Sequence, residues 1–126
     1  MSTASIYSQH EENTQWVNKL QFYRDELQIL NGRLEEITTK NNQEEVLKEV
    51  EHFQNQWIIQ RNNIDEILHK VNENERSLQE EINSNPVAVD HRKVEYHAEE
   101  KNLVEGFEKN FNDLREDFNR FASKWM

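Results

Sequence analysis

The chain has no cysteine, one proline and two glycines among its 126 residues. Without cysteine there is no disulfide framework, no thiolate metal site and no thiol nucleophile, and a reducing cytoplasm is the expected location. So little proline and glycine leaves few sharp turns, which excludes a sandwich or barrel of many short strands. Basic charge is also scarce: 15 Lys and Arg face 25 Asp and Glu, for a net charge of −10. Such a chain is repelled by phosphates and by anionic bilayers, so neither nucleic acid nor a membrane surface is an expected partner. No apolar run approaches the ~20 residues of a membrane span, and Met1–Tyr7 lacks the basic start and apolar core of a signal peptide.

Only 34% of the residues are hydrophobic, and with the high net charge that composition would suit disorder. The order of the residues argues otherwise. Trp16, Leu20, Tyr23, Leu27, Leu30, Leu34 and Ile37 recur at steps of three and four, which puts them on one face of a long helix. Ser8 and Glu11 have capping-box spacing, so a helix is predicted over about 8–39, with Ile6 on the same phase one turn earlier. The polar stretch Thr38–Asn42 interrupts the stripe, and Asn41 or Asn42 with Glu44 or Glu45 predicts a new start. A second stripe then runs through Val46, Val50, Phe53, Trp57, Ile64, Ile67, Val71, Leu78 and Ile82, a helix over 42–84 that stops before Pro86. Asp90 is the N-cap expected for a third helix, 90–125, with Val89 packing on Val94 as a staple. Its stripe is Tyr96, Leu103, Phe107, Phe111, Leu114, Phe118, Phe121 and Trp125.

Three long helices with short connections predict an all-α, antiparallel up-down-up three-helix bundle, a single domain over 1–126. Folding the chain at its two loops sets Trp57 level with Tyr23–Arg24 on helix one and with Leu114–Phe118 on helix three. In that register helix two overhangs the start of helix one by two or three turns.

Motifs of catalysis are few. There is no phosphate-binding glycine loop, GxSxG elbow or HExxH. Glu66-Ile-Leu-His69 has the ExxH spacing of di-iron bundles, but there is one copy and His69 points away from the apolar stripe. A polar layer at the start of helix one is more informative. Glu100 lies on the apolar phase of helix three with His97 at its margin, and loop-folding brings both toward Asn74, Gln9, His10 and Asn13. His10, His97 and Glu100 are therefore the candidate ligands of one divalent metal such as zinc, with structural hydrogen bonding as the plainer reading.

The acidic excess concentrates on helix two, where it reads first as a solvated face and second as a dock for a basic partner. The sixteen asparagines are poor helix formers, so these helices must depend on packing. Apolar residues are left over once the core is assigned. Phe22 and Ile29 lie seven residues apart on the outer side of helix one; Ile59 is off the core of helix two, and Leu78 and Ile82 lie on the overhang. These predict self-association, a homodimer in the first instance, with an unknown protein partner as the competing occupant. The expectation for function is a non-catalytic helical bundle acting through protein–protein contact, with a small metal-binding bundle as the alternative.

Overall fold

The computed structural model describes the backbone of residues 3–84 and 91–126. Three helices account for nearly all of it: α1 (Thr3–Lys40), α2 (Glu44–Ser84) and α3 (His91–Trp125). They pack as an all-α three-helix bundle in up-down-up order. Among the described residues, no helix is long and apolar enough to cross a membrane.

The stripes become the core. Leu20, Leu34, Ile37, Val46, Ile64, Val71, Phe111 and Phe118 are fully enclosed. Near the α1–α2 turn the filling is aromatic: Phe53 lies against Phe118 and Phe121, ring centroids 5.3 and 5.2 Å apart, and Trp57 meets Phe118 edge-on at 5.2 Å. Tyr23 joins α1 to Phe107 and Phe111 of α3 further along. Ion pairs stitch the helices outside this core, Arg24 to Asp65 and Lys19 to Glu108.

Both ends of α1 differ from expectation. The helix begins at Thr3 rather than Ser8, so Ser8 lies within a helix and caps nothing. Its early turns have a surface to lie on, because His10 reaches Glu75 and Asn13 reaches Asn74 on α2. At the other end α1 runs one residue past the expected 39, to Lys40, and the hydroxyls of Thr38 and Thr39 donate back to the carbonyls of Leu34 and Glu36. The turn is thereby confined to 41–43, and Asn41 does not cap α2. Its amide instead donates to Ile37 O at 3.0 Å and to Trp125 O at 2.9 Å, closing α1 and tying it to the end of α3. The first turn of α2 is anchored on the Gln43 carbonyl, which accepts from Val46 and Leu47.

Moving the turn shifts the register. Arg24 pairs with Asp65, and Trp57 shares a groove with Arg24, Leu27, Gln28 and Asn31, so its neighbours on α1 reach from the expected Arg24 on toward Asn31. With His10 against Glu75 and Asn13 against Asn74, the early turns of α1 lie along the part of α2 that the expected overhang had left bare. Leu78 is fully buried, which corrects its assignment to an exposed face. On α3 the stripe runs through Val104, 1% exposed, and leaves Leu103 41% exposed. Pro86, Val89 and Asp90, and the side chains of Ile6, Ile82, Val94 and Tyr96, lie outside the described residues.

Candidate functional site

Two features stand apart from the apolar core. The first is the polar layer near the start of α1. Gln9, Asn13, Asn74, His97 and Glu100 are all buried there. Their spacing accounts for this: Gln9 and Asn13 stand one turn apart on the inward face of α1, as do His97 and Glu100 on α3. Asn13 Nδ2 donates to Asn74 Oδ1 at 3.1 Å, and the His97 ring stacks on Trp16 with centroids 4.7 Å apart. Glu12 stands 3.5 Å from His97 Nε2.

Several of these polar atoms have no hydrogen-bond partner among the described residues: Gln9 Oε1, Asn13 Oδ1 and both carboxyl oxygens of Glu100. A buried carboxylate without a donor is costly, so the neutral acid is favoured. Burial pushes the Glu100 carboxyl up to about 8, against a weaker downward pull from Lys70. His97 shifts the other way, its imidazole held below the usual value by burial, against the attraction of Glu12.

The expected metal set does not assemble. No three His, Asp or Glu side chains among the described residues form a metal-holding group. His10 is half-exposed and its Nδ1 lies 2.6 Å from Glu75, while the His97 ring is engaged by Trp16. The three residues occupy one end of the bundle with different neighbours. His69 and Glu66 are exposed on α2.

The second feature is the outer face of α1. Phe22 is 61% exposed and Ile29 60%, one heptad apart. Beside them α1 and α3 frame a groove of about 380 Å³, whose walls include Glu26, Leu30, Arg33 and Arg115. Arg115 pairs with Glu26 across it. Ile59 is also exposed, 46%, on α2.

Sequence reasoning missed the charged residues that flank the pair, Asp25 and Arg33 on α1 and Arg115 on α3. The α1 pair was legible as symmetric spacing about Ile29, four residues to either side. The Arg115–Glu26 contact carries no such local signal, since it depends on how α1 and α3 are set together. Compared with protein-family models, with curated proteins and with solved structures, the chain matches none.

Proposed function

We propose that the protein is a non-catalytic helical bundle that works by binding another polypeptide through the outer face of α1. The observation that carries this reading is the heptad-spaced pair Phe22 and Ile29, each more than half exposed beside the α1–α3 groove. Single exposed apolar side chains are ordinary on protein surfaces. Two large ones at the repeat of a helix-packing seam, next to a groove with paired charges, form a face that suits a partner helix.

The test is a position-specific photocrosslink in living cells. A benzophenone side chain at position 22 should capture protein, and the same group at the exposed position 69 on α2 should not. Equal capture at the two positions, or none at 22, overturns the reading.

A further inference from the structure

We propose that the occupant of this face is a second copy of the chain, docked with the two α1 helices antiparallel about a twofold axis beside Ile29. The inference rests on the binding-face reading above and names its partner. Charge is the first support. The chain carries −10 overall, yet Asp25, Glu26, Arg33 and Arg115 around the apolar pair balance in sign. A groove whose charges balance on so acidic a molecule offers little net attraction to a strongly basic partner. It suits an isologous contact, in which one surface must complement itself.

The order of the charges meets that condition. Asp25 lies one turn before Ile29 and Arg33 one turn after it. At 100° per residue they sit about 40° to either side of Ile29 on the wheel, still on the facing surface. A twofold that sets Ile29 against its counterpart brings each Asp25 level with the other copy's Arg33, twice over. None of the ion pairs among the described residues uses either group. In the same register Phe22 falls level with Glu36 of the second copy, one turn from Arg33, whose aliphatic stem can lie along the ring while its guanidinium meets Asp25.

Gly32 is the second support. It stands in the middle of α1 with no positive φ, and a Cβ added there would meet nothing within 4 Å. Nothing within the chain's own fold calls for a glycine, which weakens a helix interior relative to alanine. It lies on the Ile29 side of α1, so the surface there is cut down to the backbone and a second helix can approach closely.

Light scattering at micromolar concentration should give twice the 15.3 kDa chain mass. Phe22→Glu should halve that value while circular dichroism stays unchanged. The decisive variants reverse the charges. Asp25→Arg alone and Arg33→Asp alone should each be monomeric, because each sets like charges against one another across the twofold. An equimolar mixture of the two should recover the dimer mass, since the mixed pair has opposite charges at both contacts. A monomeric wild type, single reversals that remain dimeric, or a mixture that stays monomeric would each overturn the proposal. If the wild type is monomeric while position 22 still crosslinks to a different protein, the twofold pairing falls and the binding face stands. If neither is seen, both fall.

Discussion

Glu100 is 1% exposed with no donor for its carboxyl among the described residues, so its proton is part of the folded structure near neutral pH. The folded group titrates at about 8 and the free one at 4.5. Between those values the unfolded chain has lost the proton and the folded chain keeps it, so stability falls as pH rises and levels off above about 8. His97 contributes the opposite slope. Its folded value is depressed, so its stabilisation is present above 6.5 and is lost as pH falls below that. Just below 6.5 the two slopes oppose each other, and from 6.5 up to about 8 the Glu100 decline stands alone. Urea unfolding across that window should register a loss on the order of 2 kcal/mol, at ~1.4 kcal/mol per pH unit for one proton. Glu100→Gln should flatten the slope, and a slope that survives in the variant would show that another group carries it. The burial of His97 and Glu100 was legible from their phase on helix three. The contact of His10 with Glu75 was not, because it joins residues 65 apart and depends on a register that no local pattern fixes.

At the scale of elements, the turn at 41–43 governs how α1 meets α2. Asn41 is its key side chain, satisfying the end of α1 and the end of α3 with one amide. Asn41→Ala removes both bonds and should cost about 1–2 kcal/mol in thermal or urea unfolding. Asn42→Ala, at an exposed neighbour, should stay within about 0.5 kcal/mol. Equal effects at the two positions would mean that the amide contacts contribute nothing. The helices themselves were legible from stripes of three and four, because burial of one face imposes that spacing on any sequence. Their pairing was less so. Polar Thr38–Asn42 interrupts the stripe and leaves the helix end unmarked, while threonine hydroxyls bonding back to the preceding turn carry α1 on to Lys40. Lys40 kept by α1 and a start of α2 at Glu44 rather than at 42 move the turn, and that slides every layer of α1 against α2. The same slide explains why Leu78 is enclosed.

The described residues are close to continuous helix, and circular dichroism should report helix above about 75%, far over the roughly one-third typical of globular domains. A value near that base rate would contradict the fold. The interior is uneven along its length. Next to the 41–43 turn, Phe53, Trp57, Phe118 and Phe121 form one aromatic cluster. Trp57→Ala there should cost on the order of 3–5 kcal/mol. A loss under about 1 kcal/mol in urea unfolding would show that the cluster does not hold the bundle together.

The opposite end buries the polar Gln9, Asn13, Asn74, His97 and Glu100 among its described residues. The described core is thus aromatic next to the 41–43 turn and polar toward the start of α1. Warming should open it from the polar end while the aromatic end keeps the three helices together, and amide protons should exchange in that order. Ile29 lies on the stretch of α1 that runs beside α2 toward the aromatic end, so its surface remains presented while the far end breathes. A molecule built this way can loosen one end without letting go with the other.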